Sequence, residues 1–233
     1  MRYDRVVEGR FLSRPNRFIA LVEIDGKQET VHVKNTGRCR ELLLPDVKVW
    51  LSDSGNPNRK TRYDLVAVEK ARENGETVLI NIDSQIPNDV AGEWLPKCRL
   101  FSENAKVRRE VTFGASRFDF YIEDGERKCF LEVKGVTLER EGVALFPDAP
   151  TERGVKHLGE LVECVEQGYE AYLLFVIQMK GVCELRPNDE THRAFGDALR
   201  QAESRGVRLL AMDCIVAPDS IKIDKSIEIK TKG

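Results

Sequence analysis

The amino-acid sequence predicts an α+β chain: a small all-β barrel or sandwich first, then an α/β layer. Three observations lead there. Up to residue 85, short apolar segments recur between Gly, Pro and Asn turn signals, the spacing expected of a barrel or sandwich. Beyond residue 105, strand-like segments alternate with two helical patterns, as in an α/β layer. Between the two, residues 87–100 have the spacing of a short helix. The boundary is expected within residues 83–105, giving an N-terminal unit over 1–85 and a C-terminal unit over 86–233.

Taken in order, the first unit is expected to hold strands over 18–24, 30–34, 47–52, 65–68 and 77–82, punctuated by Gly26, Gly37, Asn56-Pro57 and Asn74-Gly75. Val90, Trp94 and Leu95 suit the short helix, ended near Pro96. Strands follow over 107–113, 117–123 and 129–133, the last two joined through residues 124–127. Over 151–167, Val155, Leu158, Val162 and Val165 recur at three- and four-residue steps, with Thr151 as N-cap and Gly168 as stop. Residues 171–177 are continuously apolar, as in a strand covered on both faces. Residues 190–203 read as a second helix, stopped near Gly206, and 207–216 as a final strand.

Composition limits the function. The chain has 233 residues, 33% charged and 41% hydrophobic, a globular balance. At this size folding hides roughly 70% of the unfolded surface. The apolar runs are too short to cross a bilayer, and the charged residues 1–5 have no apolar segment behind them. A cytoplasmic protein without membrane association is therefore expected. A net charge of −2 excludes coating nucleic acid by bulk positive charge. The charge is uneven, however: residues 1–40 carry nine Lys or Arg against five Asp or Glu. The six cysteines form no C-x-x-C pair and read as buried thiols. The three histidines share no ligand spacing with them, which argues against structural zinc.

The most informative stretch is Arg117-Phe-Asp-Phe-Tyr-Ile followed by Phe130-Leu-Glu-Val-Lys. The two-residue period of a strand puts Asp119 opposite the phenylalanines of its strand and puts Glu132 and Lys134 together on one side of theirs. A hairpin turning on Gly125-Glu126 pairs Asp124 with Arg127 and brings Asp119 opposite Glu132, and glycine first suits a type II′ turn; a turn centred on Asp124-Gly125 shifts the register but keeps Asp119 and Glu132 on the same face. Two facing carboxylates repel, and Lys134 offsets only one charge. One reading is a divalent metal held by Asp119 and Glu132, with Mg²⁺ or Mn²⁺ suited to hard oxygen ligands. Lys134 would then stabilise developing charge or position a water. The other is a solvated, salt-bridged face. Glu152, Arg153, Lys156 and His157 follow in the first two turns of the helix, where cationic side chains suit phosphate.

Several segments together resemble the SfsA family, the sugar fermentation stimulation proteins. They are Arg14-Pro-Asn-Arg-Phe, Asn35-Thr-Gly-Arg, Ser116-Arg-Phe-Asp-Phe, Leu131-Glu-Val-Lys, Phe146-Pro-Asp-Ala-Pro-Thr-Glu-Arg-Gly and Lys156-His-Leu. The resemblance implies an N-terminal OB-like β-barrel, a C-terminal domain similar to PD-(D/E)xK nucleases, DNA binding and a link to sugar metabolism. By position, Asp119 matches the motif aspartate, Glu132 and Lys134 match E-x-K, and Glu110 would match an upstream acidic residue. Phe118 stands where the motif has proline.

On such a barrel, Arg14, Arg17 and Arg38 are expected to contact DNA phosphates, joined by Arg117, Arg153, Lys156 and His157 beside the carboxylates. Phe18 could stack on a base, but a phenylalanine opening an apolar strand is expected in the core. Three functions follow: a metal-dependent DNase using Glu110, Asp119, Glu132 and Lys134; a DNA-binding regulator of sugar (maltose-type) metabolism genes without turnover; or, more remotely, a small-molecule phosphate-ester enzyme. The chain is expected as a monomer or homodimer.

Overall fold

The computed structural model describes residues 1–35, 37 and 39–232. Strands β1 (Val6–Asn16), β2 (Ile19–Ile24), β3 (Lys27–Val33), β4 (Lys48–Asp53) and β5 (Tyr63–Ala71) pair in the order β3-β2-β1-β4-β5. Pairing of β3 with β5 closes the cycle into a five-stranded barrel, and β6 (Thr77–Asn81) extends it beyond β5. Alternate residues fill the interior, among them Phe11, Val22, Val31, Val49, Leu51 and Leu65. Asp25 and Gly26 both have positive φ, at 50° and 75°, as a type I′ hairpin between β2 and β3 requires.

The sequence gives no periodic signal for β1, because Gly9 and Pro15 interrupt it. The fold uses both. A Cβ on Gly9 would lie 2.6 Å from Val22 Cγ1 and 2.8 Å from Leu51 Cδ1, so neighbouring strands close over a residue without a side chain. Pro15 falls outside the Val6–Arg10 stretch that pairs with β4, at an irregularity in the pairing with β2. There its missing N–H leaves no gap in the ladder.

The chain leaves β6 at Asn81 and enters α1 (Ile86–Trp94), which a short 3₁₀ turn (Leu95–Lys97) extends. Strands β7 (Lys106–Phe113), β8 (Ser116–Asp124) and β9 (Arg127–Val136) form an antiparallel meander. After β10 (Leu138–Arg140), β11 (Val143–Phe146) and α2 (Glu152–Glu166), strand β12 (Glu170–Ile177) pairs parallel to β9. Then β13 (Glu184–Pro187) and α3 (Asp189–Ser204) lead to β14 (Arg208–Ala217), parallel to β12, and β15 (Ser220–Ser226) closes the sheet antiparallel. The sheet order is β15-β14-β12-β9-β8-β7.

Helices cover both faces. Leu158 and Leu161 of α2 and Phe195 and Leu199 of α3 share a core with Phe118, Phe130, Leu173 and Phe175. On the other face, Ile86, Val90, Ala91 and Leu95 pack against Phe120, Leu131, Val133, Leu174 and Val176. Residues 171–177 are thus buried on both sides, as their unbroken apolarity predicts; each large apolar side chain contributes about 1.5–3 kcal/mol on burial. A small second sheet, β10-β11-β13 with β16 (Glu228–Ile229), was not legible, since its strands are two to four residues long.

The two units share polar contacts. Gln178 Nε2 donates to the carbonyls of Asn81 and Asp83, both at 3.0 Å. Lys70 pairs with Glu139 at 2.7 Å. Residues preceding β1 join the second unit, with Tyr3 N donating to Asp219 O at 2.7 Å. The cysteines are all free, but not all buried: Cys183 is exposed on the link between β12 and β13, and Cys98 is half-buried. Among the described residues, no helix is long and apolar enough to cross a membrane.

Candidate functional site

Of the two registers open to the β8–β9 hairpin, the structure has the one that turns on Gly125-Glu126, pairing Asp124 with Arg127 and Phe120 with Leu131. Gly125 has φ 63°, as the first central position of a type II′ turn requires. The ladder stops where Asp119 and Glu132 would come next. There the Asp119 carboxylate takes the place of a backbone partner: Oδ2 accepts from Val133 N and Oδ1 from Asn88 Nδ2, both at 2.7 Å. On the other side of β8, pairing with β7 passes from Arg109–Phe120 to Val111–Phe118. It skips Glu110, whose φ is 56°, a left-handed conformation sparsely populated by non-glycine residues.

Glu132 is buried, at 3% exposure. Its Oε1 accepts from Lys134 Nζ at 2.6 Å and from His157 Nδ1. Its Oε2 is buried with no hydrogen-bond partner. Burial alone would raise the Glu132 carboxyl, but hydrogen bonding from His157 and the charge of Lys134 outweigh it and hold the group below its ordinary range. Asp119 moves the opposite way: burial, then the charge of Glu132, push it up against the opposing Val133 N–H and Lys134. The two carboxyls on this sheet are thus shifted in opposite directions, Glu132 down and Asp119 up.

Asp119, Glu132 and Lys134 therefore come together as expected, and Asn88 and His157 complete the group. Glu110 does not join them: its side chain is exposed and its carboxylate lies 3.3 Å from Arg117. The positive φ at Glu110 interrupts the β7 ladder there. His157 is not a surface phosphate contact either, being 4% exposed. The buried stripe of α2 runs through Gly154, His157, Leu158, Leu161 and Cys164. Val155, Val162 and Val165, expected to lead that stripe, are only partly buried at its edge.

Arg153 and Lys156 are exposed in the first turns of α2, Lys156 lying 3.5 Å from Glu160. Thr151 caps the helix as expected, accepting from Gly154 N at 3.0 Å. On the barrel, Arg14 donates to the carbonyls of Arg17, Asn35 and Gly37 at 2.7–2.9 Å and so staples the turn after β3. Arg17 is exposed, stacked 4.8 Å over Phe18. Phe18 is 45% exposed and not in the core; the β1–β2 turn, held by Asn16 Oδ1 accepting from Phe18 N at 2.9 Å, turns it outward. Arg14, Asn16, Arg17, Gly37, Cys39, Arg40 and Leu43 line a cavity of about 460 Å³. Arg38 lies outside the described residues. Asn88 had no signal of its own, being one polar residue early in a short helix.

A closed OB barrel joined to an α/β domain that carries a buried carboxylate–lysine group defines a two-domain class of protein. Within that class the chain belongs to the SfsA family. The family model described as "SfsA N-terminal OB domain" matches residues 12–80. The one described as "Sugar fermentation stimulation protein RE domain" matches residues 85–220. Relatives named sugar fermentation stimulation protein homolog include one from Desulfitobacterium hafniense, 59% identical, the match covering 99% of this chain and 98% of that relative. Another, from Clostridium beijerinckii, is 50% identical over 98% of this chain and 99% of its own length. The fold is similar to that of Pyrococcus furiosus SfsA solved in complex with Ca²⁺, with TM-score 0.83 and 25% identity. That match covers 99% of this chain and 98% of the other.

Proposed function

We propose that this member of the sugar fermentation stimulation proteins binds DNA through its barrel and hydrolyses phosphodiester bonds at Asp119 and Glu132 with Mg²⁺ or Mn²⁺. The observation that carries the reading is Glu132 Oε2, a buried carboxylate oxygen without a partner beside a second carboxylate whose ionised form is disfavoured. Such an arrangement costs stability unless a cation enters. Asp119 and Glu132 are hard oxygen donors and would hold the ion, and the Ca²⁺ in the Pyrococcus furiosus structure is a dication of the same preference. A bound dication would polarise a phosphate oxygen and lower the pKa of a water. Lys134, fixed against Glu132, holds positive charge where it can offset charge building on the phosphate. Arg153 and Lys156 lie exposed on the helix that supplies His157 and would orient the strand. Arg17 and Arg40, lining the barrel cavity, would hold it further along.

A plasmid, a linear duplex and a single strand incubated with Mg²⁺ or Mn²⁺ should be cut, and Asp119→Ala should abolish cutting. Failure to cut any of the three with either metal sinks the hydrolytic reading. The solvent-facing placement of Glu110, which leaves two carboxylates converging, favours a second reading: binding without turnover, as in a regulator. It predicts wild-type DNA binding in Asp119→Ala and no cleavage. In either reading Arg17→Glu should reduce the slope of log affinity against log salt by roughly one; an unchanged slope removes the barrel face from the interface.

A further inference from the structure

His157 reaches inward from the second turn of α2 and packs edge-on against Phe118, with ring centroids 6.2 Å apart. Its Nε2 accepts from Arg153 Nε at 3.3 Å. An acceptor at Nε2 assigns the ring proton to Nδ1, so the ring donates to Glu132 Oε1. Lys134 Nζ donates to the same oxygen at 2.6 Å. Two donors therefore hold Oε1, and Oε2 has none. A carboxylate held in this way cannot exchange its oxygens without breaking both hydrogen bonds.

We propose that His157 is a positioning residue that fixes Glu132 so that Oε2 is the oxygen offered to a divalent cation. The inference rests on the metal reading above. Lys134 alone is a weak positioner, because it sits on the same strand and its flexible stem can follow the carboxylate. His157 comes from a different element, and its ring is held by Phe118 and Arg153. It thus ties the rotamer of Glu132 to the position of α2. Hydrogen bonds of this kind to ligating groups orient them and typically change metal affinity roughly 10- to 100-fold when removed. A histidine that merely fills the core would leave metal affinity untouched.

Mn²⁺ alone, titrated calorimetrically into the full-length chain, separates the two. Four proteins are needed: wild type, His157→Asn, His157→Leu and Glu132→Gln. Asparagine keeps an N–H near the Nδ1 position, whereas leucine keeps bulk and has no donor. The expected result is Mn²⁺ binding weakened roughly 10- to 100-fold in His157→Leu, near wild type in His157→Asn and lost in Glu132→Gln. Wild-type affinity in His157→Leu overturns the proposal, as does equal loss in the Leu and Asn variants. Should wild type bind Mn²⁺ no better than Glu132→Gln, the metal reading itself falls, and this proposal with it. If circular dichroism shows that His157→Leu does not fold, His157→Gln replaces it: its amide reaches past the Nδ1 position, so it should bind more weakly than His157→Asn, and equal affinity overturns the proposal.

Discussion

Glu132 and Glu139 are both buried, at 3% and 1% exposure, and both face cations, yet they are held in opposite ways. Glu139 sits where the barrel meets the α/β domain. Its Oε2 accepts from Lys70 Nζ at 2.7 Å, and its Oε1 accepts from Gly142 N at 2.6 Å and lies 3.3 Å from Arg72 Nε. Glu132 has both donors on one oxygen and a second carboxylate nearby. A buried charge with both oxygens partnered is part of a joint; one left half-partnered is expected where a ligand completes it.

The largest effect should come from breaking the joint. Glu139→Ala leaves Lys70 and Arg72, 18% and 12% exposed, without their buried partner, which typically costs about 3–5 kcal/mol. Urea denaturation would measure it. A loss below about 1 kcal/mol would place Glu139 among weak surface pairs and remove the contrast. The site should behave the other way when a metal is supplied. Mn²⁺ at a hundred times its dissociation constant should stabilise wild type by about 2.7 kcal/mol and leave Asp119→Asn unchanged, read as a thermal shift. A shift of equal size in both proteins would move the cation elsewhere.

Without metal, Asp119→Asn should stabilise the protein, by about 1 kcal/mol or less. Its carboxyl is raised by burial and by Glu132, so the ionised form costs folding free energy at neutral pH and a neutral amide removes that cost. Destabilisation instead would mean that the hydrogen bonds to Asn88 and Val133 outweigh the repulsion.

These contrasts show what a sequence can disclose. Asp119, Glu132 and Lys134 were legible because strand period and hairpin register are arithmetic over a few residues. The ends of α2 were legible because Thr151 and Gly168 act locally. The break in pairing at Asp119 was not, since it depends on Asn88 arriving from another element. Nor was the placement of His157. The inward face of α2 includes a glycine and a histidine that apolar periodicity does not score, beside Leu158, Leu161 and Cys164, while valines flank it. Phe18 misled for a related reason: a turn bonded through Asn16 directs it outward. Glu139 had no signal at all, because its partners Lys70 and Arg72 lie in the other domain.

A third glutamate, on the strand beside β9, supplies the smallest test of the contrast. Glu170 opens β12 beside Cys129 of β9. It accepts from Arg127 Nε at 2.7 Å and Nη2 at 3.0 Å, from Tyr172 Oη at 2.7 Å and from Arg208 Nη1 at 3.0 Å. Hydrogen bonding from Arg127 leads the effects that hold its carboxyl at about 2. Folding therefore favours the ionised form. The stabilisation is fully present above the unfolded value near 4.3 and is lost as pH falls from there through about 2. Glu170→Gln should flatten the acid limb of the stability–pH curve over that interval, in denaturant titrations at successive pH. The loss should be small, because the side chain is 26% exposed and water screens the pair. Asp119→Asn should alter the curve in the opposite sense: wild type gains relative stability as pH falls and Asp119 takes up its proton, and the variant lacks that gain. Curves shifted in the same sense would mean that the site carboxylate is satisfied like the other two, and the reason for expecting a cation between Asp119 and Glu132 would be gone.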